Sequence, residues 1–242
     1  MKSTGAQPIM EGNRTGIQTA PELAEELIEG ASNAMPSSEG GPEEIAEFRA
    51  EYISEGFPIG SMPTVPVSEE TEADEDEMAM AVFLDKLSER LAFERMGVRL
   101  YEALYNKVET LGETVPGPTL EQIEHIGREE LEHFLMVNTT ITELGGDPTV
   151  ESPCADVAAV ASMGILQVLT DPRTSVAQCL QAMLTAELTD NDGWRLLIQV
   201  AENFGFDEVK TEFEKALANE VVHLENVRTW VAECVMDSAQ VE

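Results

Sequence analysis

The sequence is short of cations. Lys and Arg number 14 against 47 Asp and Glu in 242 residues, for a formal net charge of −33. A nucleic-acid binder needs a basic footprint for phosphate, and an anionic membrane surface attracts polybasic segments, so neither partner is expected. Cysteine is scarce as well. Cys154, Cys179 and Cys234 are far apart and form no CxxC pair, which argues against a disulfide framework, a structural zinc site or a rubredoxin-type iron site. Long apolar runs are missing: Val157 to Leu166 is the longest, short of the ~20 residues that a bilayer span needs. No basic-then-apolar segment opens the chain. No window alternates as a half-buried strand does. These absences lead to the expectation of a soluble, cytoplasmic, all-α protein.

What is present divides into two parts of unequal character. Residues 1–77 carry 18 acidic and 3 basic side chains and most of the prolines. Stretches such as Pro36 to Pro42 and Ser68 to Glu77 lack the apolar surface to offset the entropy of ordering. Two short amphipathic pieces interrupt them. Pro21 to Ile28 sets Leu23 and Leu27 four apart, and Pro42 to Ile53 sets Ile45, Phe48 and Tyr52 on one face. Residues 1–77 therefore read as an acidic, mostly extended tail with two helical turns that dock on a partner or serve solubility.

From Met78 onward the apolar residues recur with helical period. A first long helix is expected from Met78 to Leu111, ending at Gly112. A second follows Pro118, where Thr119 and Gln122 form a capping-box pair, and stops at Gly145-Gly146. Ser152-Pro153 opens a shorter apolar helix to about Leu169. Asp171-Pro172 opens the third long helix, which ends near Gly205. Asp207 caps the fourth, which reaches Val235. Residues 78–242 thus read as four long helices with one short helix in the middle connection.

Each long helix carries a Glu inside its apolar stripe. In the first, Leu84, Leu87 and Leu91 lead to Glu94 and then Val98, Tyr101 and Tyr105. At 100° per residue, Glu94 and Tyr101 differ in direction by only ~20°. In the second, Ile123 and Ile126 lead to Glu130 and His133, then Val137 and Ile141. In the third, Leu180 and Met183 lead to Glu187, then Trp194. In the fourth, Phe213 and Leu217 lead to Glu220 and His223, then Val227 and Trp230. The order is Glu, Glu-x-x-His, Glu, Glu-x-x-His, with 36 residues between Glu94 and Glu130 and 33 between Glu187 and Glu220. One helical hairpin thus appears twice.

Four carboxylates in a helical core would cost several kcal/mol each if uncompensated. Two divalent cations supply the opposite charge. Glu and His at i, i+3 share a helix face and can address one metal together. Carboxylate oxygen with imidazole nitrogen suits iron or manganese, and no thiolate favours zinc or copper.

On these six positions the chain resembles the ferritin-like di-iron carboxylate superfamily, with bacterioferritin and the bundle domain of rubrerythrin as the nearest likenesses. The resemblance covers about Met78 to Val235. It implies a ferritin-like four-helix bundle with a long crossover, here Gly146–Arg173, carrying the extra short helix. It implies metal ligation of two Fe ions, or alternatively two Mn ions, by Glu94, Glu130, His133, Glu187, Glu220 and His223. The four Glu would be the catalytic carboxylates of a di-iron oxidoreductase. In that family an acidic residue just before the Glu of a Glu-x-x-His pair hydrogen-bonds a metal-bound His; the matching positions are Glu129 and Asn219. The rubredoxin donor of rubrerythrin has no counterpart, and the 77-residue acidic tail has no counterpart in ferritins.

The expected activity is Fe(II) oxidation, or reduction of O2 or peroxide, by a homo-oligomer of two or more chains. Peroxide disproportionation at a di-manganese site is one alternative. A metal-clipped scaffold without catalysis is another. Tyr101, Tyr105, Trp194 and Trp230 read first as core packing, and His125 as a surface or capping residue.

Overall fold

The structure is a computed structural model that describes residues 17–18, 20–34, 41–57, 59–61, 75–112 and 116–239. Every regular element among the described residues is a helix, as the sequence predicts. The chain divides into two compact units, Met1–Phe57 and Pro58–Glu242.

The first unit holds α1 (Pro21–Asn33) and α2 (Pro42–Glu55). They run past the expected pieces Pro21 to Ile28 and Pro42 to Ile53, by five residues in α1 and two in α2. Each begins with Pro at its first helical position, where the missing N–H is no loss. At α2 the Gly41 N–H donates to Glu44 Oε2 at 2.7 Å, which holds the first turn. No residue of either helix is buried. The expectations of extended chain over 36–40 and 62–74 lie outside the described residues.

The second unit is built from α3 (Glu75–Leu111), α4 (Leu120–Glu143), α5 (Pro153–Thr170), α6 (Val176–Phe204) and α7 (Asp207–Ala239). Thr119 starts α4 as expected: its Oγ1 accepts from the Gln122 N–H at 3.2 Å, and its own N–H donates to Gln122 Oε1 at 2.9 Å. The start of α6 differs from the expected Asp171-Pro172. Asp171 instead closes a tight turn, accepting from the Arg173 N–H at 2.9 Å. Ser175 and Gln178 then make the capping box, at 2.9 and 3.3 Å. The α6 helix ends at Gly205, in the left-handed conformation that a residue with a Cβ resists. Asp207 lies in the first turn of α7 and is not its cap.

The helices pack as α3 against α4, α6 against α7, α3 against α6 and α4 against α7, with α5 on α3 and α6. Two apolar clusters show how they run. One joins Leu100, Leu104, Ile123, Ile126, Leu180, Met183 and Val227. The other joins Phe83, Leu84, Leu87, Val137, Ile141, Trp194 and Phe213. So α3 and α7 run from the second cluster to the first, and α4 and α6 run the opposite way. The link between α4 and α6 must travel back along the helices, and α5 covers most of that distance, about 27 Å at 1.5 Å per residue.

Taken whole, α5 is 18 residues with mean hydropathy 1.4, which by length and composition is enough to cross a membrane. The run 157–166 is only the middle of this helix. Ala155, Ser162 and Leu169 of α5 are buried in the unit, while Val157, Val160 and Met163 are exposed.

Phe213 is fully buried and packs edge-on to Trp194, with ring centroids 5.3 Å apart. Phe213→Ala is expected to destabilise the unit by about 3–5 kcal/mol, read as a lower urea midpoint with unchanged helical content at zero denaturant.

Candidate metal centre

Between the two apolar clusters lies a polar layer. Glu94 comes from α3, Glu130 and His133 from α4, Glu187 from α6, and Glu220 and His223 from α7, and all six are buried. The apolar stripes explain their position: each helix turns the same face inward above and below the layer. Their ligand atoms form two groups, each with all atoms within 4.8 Å of one another. One is Glu94, Glu130, His133 and Glu220; the other is Glu187, Glu220 and His223. Glu220 belongs to both. Glu130 also reaches toward the second group, with its Oε1 3.4 Å from His223 Nδ1.

The imidazoles face inward through Nδ1. His133 Nδ1 is 2.8 Å from Glu220 Oε1 and 3.8 Å from Glu94 Oε2. His223 Nδ1 is 3.2 Å from Glu220 Oε2. On its outer side, His223 Nε2 lies 2.9 Å from Glu129 Oε2, a contact that fixes ring orientation and tautomer. Glu129 thus stands in the orienting position expected of it. His133 Nε2 has no hydrogen-bond partner, so Asn219 gives it none. Exposed His125 sits 3.6 Å from Glu129 and away from the layer.

Tyr101 does more than pack. Its hydroxyl donates to Glu187 Oε1. Trp194 packs edge-on to His133, at 5.6 Å between centroids, and so walls the layer.

Three polar residues of this layer were not singled out in the sequence. Arg90 is buried, with Nε 3.0 Å from Glu94 Oε1 and Nη1 2.7 Å from Asp190 Oδ1. It also donates to the Asp190 carbonyl at 3.1 Å. Asn191 donates to the Glu187 carbonyl at 3.1 Å and the Glu220 carbonyl at 2.9 Å, tying α6 to α7. The available signal was spacing: Arg90 is one turn before Glu94, and Asp190 and Asn191 are one turn after Glu187. Two glycines make room. A Cβ on Gly97 would stand 2.2 Å from Glu130 Oε2, and one on Gly193 would stand 2.4 Å from Arg90 Nη1.

Burial and mutual charge shift the acidities of the layer. Burial raises the Glu94 carboxyl well above its ordinary value, opposed by Arg90. Burial and then the Glu130 charge raise Glu187 likewise. Burial and the Glu220 charge raise Glu130. Asp190 is raised by burial against the pull of Arg90. Burial also works against charge on Glu220 and His223, but their mutual contacts win. Hydrogen bonds from His133 and His223 lower Glu220 to about 2. Glu130 and Glu220 push His223 up to about 12.

Several buried acceptors have no hydrogen bond at all, among them Glu130 Oε2 and Glu187 Oε2. Orphaned carboxylate oxygens in one buried layer, with the inward Nδ1 atoms of His133 and His223 beside them, are the donor set of a hard or borderline divalent cation. Either group has the residues to hold such an ion. Comparisons with family models, characterised proteins and solved structures find no match.

The proton inventory gives a pH dependence with a definite sign. The raised groups bind more protons folded than unfolded, so their stabilisation is full below the unfolded value and is lost as pH rises toward the folded value. Glu220 behaves oppositely, but its contribution is lost only as pH falls below the ordinary carboxylate value toward about 2. The urea midpoint of metal-free protein is therefore expected to fall from about pH 5 to about pH 8. Glu187→Gln should flatten that slope. A midpoint that is constant or rises over this range contradicts the assignment.

Proposed function

We propose that the second unit is a ferritin-like bundle holding a dinuclear iron or manganese site, and that it oxidises Fe(II) or reduces dioxygen or peroxide there. The observation that carries this reading is the convergence of the two Glu-x-x-His pairs and two single Glu on one buried layer, with Glu220 common to both groups. The opposed helix directions and the return link through α5 support the same reading.

Glu94 and His133 would address one ion, and Glu187 and His223 the other. Glu220, common to both groups, and Glu130, 3.4 Å from His223, would be shared between the ions. Bound iron would supply the electrons for reducing the oxidant. The chain's own residues prepare the place. Glu129 keeps His223 with Nδ1 inward. Tyr101 fixes the Glu187 rotamer and holds a proton beside it. Arg90 restrains Glu94 on its outer edge. Phe93, Trp194 and the two apolar clusters exclude bulk water, which strengthens every charge interaction inside. Six protein ligands for two ions leave coordination positions open, as reaction with a small oxidant requires.

The test is metal analysis followed by an oxidation assay. Protein purified without chelator should bind two ions per chain, and Glu130→Ala with Glu220→Ala should abolish binding. Fe(II) added in air should oxidise faster than in buffer alone. Unchanged stoichiometry in the double variant would sink the site. Full loading with no Fe(II) oxidation, together with O2 release from peroxide by Mn-loaded protein, favours the manganese reading. Full loading with both assays silent leaves a structural clip.

A further inference from the structure

The polar layer is sealed, yet one cavity reaches its edge. A cavity of about 260 Å³ lies between α3 and α6, walled by Phe93, Leu196 and Leu197. Lys86, Glu89, Arg90 and Asp192 also line it. Arg90 is the shared wall: it faces the cavity on one side and contacts Glu94 and Asp190 of the layer on the other. Gly193 lines the same place, and any side chain there would collide with the guanidinium. The opposite approach, past Glu129, is occupied by the contact from His223 to Glu129 and on to His125.

From this geometry we infer that the α3–α6 cavity is the entrance by which a small uncharged molecule of dioxygen's size reaches the carboxylate–histidine layer, with the Arg90 side chain as the partition. The inference rests on the metal-site reading above. The charges of the lining balance, Lys86 and Arg90 against Glu89 and Asp192, with Lys86 paired to Glu89 at 2.5 Å, so the entrance attracts no ion, and the carboxylates behind Arg90 repel an anion. The walls are mostly apolar, so a weakly polar molecule loses little on entering. Arg90 is held by its ion pairs to Glu94 and Asp190, by its bond to the Asp190 carbonyl, and by aromatic faces, 4.4 Å from the Phe93 centroid and 5.6 Å from that of Trp194.

The experiment fills the cavity and times the arrival of a probe. Leu196 and Thr189 are exposed residues of the rim, so Leu196→Trp and Thr189→Phe add bulk without disturbing the core. Asn106→Trp, in the separate groove between α3 and α5, is the control. Cobalt(II) is titrated first, and its visible absorption gives the number of ions bound. Nitric oxide is then mixed with anaerobic Fe(II)-loaded protein in a stopped-flow instrument. Both rim variants should bind cobalt at the parental stoichiometry and slow nitric oxide association by about tenfold, while Asn106→Trp matches the parent. Parental association rates in both rim variants, with cobalt fully bound, overturn the entrance and leave the metal site standing. Absence of cobalt binding in the parent overturns the metal site and the entrance with it.

Discussion

Five carboxylates buried in one layer of a helical core are the constraint around which this unit is arranged. Glu94, Glu130, Glu187, Glu220 and Asp190 face one guanidinium and two imidazoles. Inside a protein that imbalance is severe, because each uncompensated carboxylate would prefer a proton to its charge. The chain answers partly with Arg90, whose two arms serve Glu94 and Asp190, and partly with the inward imidazoles. The remainder is left for protons or cations. The absence of bulky residues at positions 97 and 193 follows directly, since each such side chain would occupy the space of a charged group in the layer.

Much of this layer was legible in the sequence because helical periodicity is a strong signal. Glu94, Glu130, Glu187 and Glu220 interrupt apolar stripes in phase, and the structure buries each of them. The α4 start was legible for a similar reason, as Thr119 and Gln122 have the spacing that a capping box needs. The α6 start was not. Asp171-Pro172 and Ser175 are both valid helix openers locally, and in the structure Lys107 of α3 bonds the Asp171 carbonyl at 2.5 Å and holds it in the turn. A contact across 64 residues leaves no local trace.

Arg90, Asp190 and Asn191 were illegible for another reason. A stripe of leucines suggests that charged neighbours face water, and Arg90 stands between Leu87 and Leu91. Only a partner on another helix makes its burial tolerable, and Asp190 is 100 residues away. Tyr101 was placed correctly in the core, but packing and hydrogen bonding look alike in a one-dimensional pattern. In the first unit the two short helices outrun the apolar spacing that suggested them. Their prolines and the Glu44 contact fix where they start, and no buried face limits where they stop.

The polar layer also acts as a vernier on the helices. It splits the interior into two apolar compartments, with Leu104 and Leu180 in one and Leu84 and Phe213 in the other. Leucine-lined surfaces alone would allow a helix to slip by one turn, about 5.4 Å, and repack with similar area. Here such a slip would carry a carboxylate out of the layer and into hydrocarbon. Four helices are each pinned at one height by a residue that tolerates no other, so errors of alignment cannot accumulate along spans of 24 to 37 residues. Mutational drift in either compartment is then cheap in alignment, because the layer between them keeps the scale.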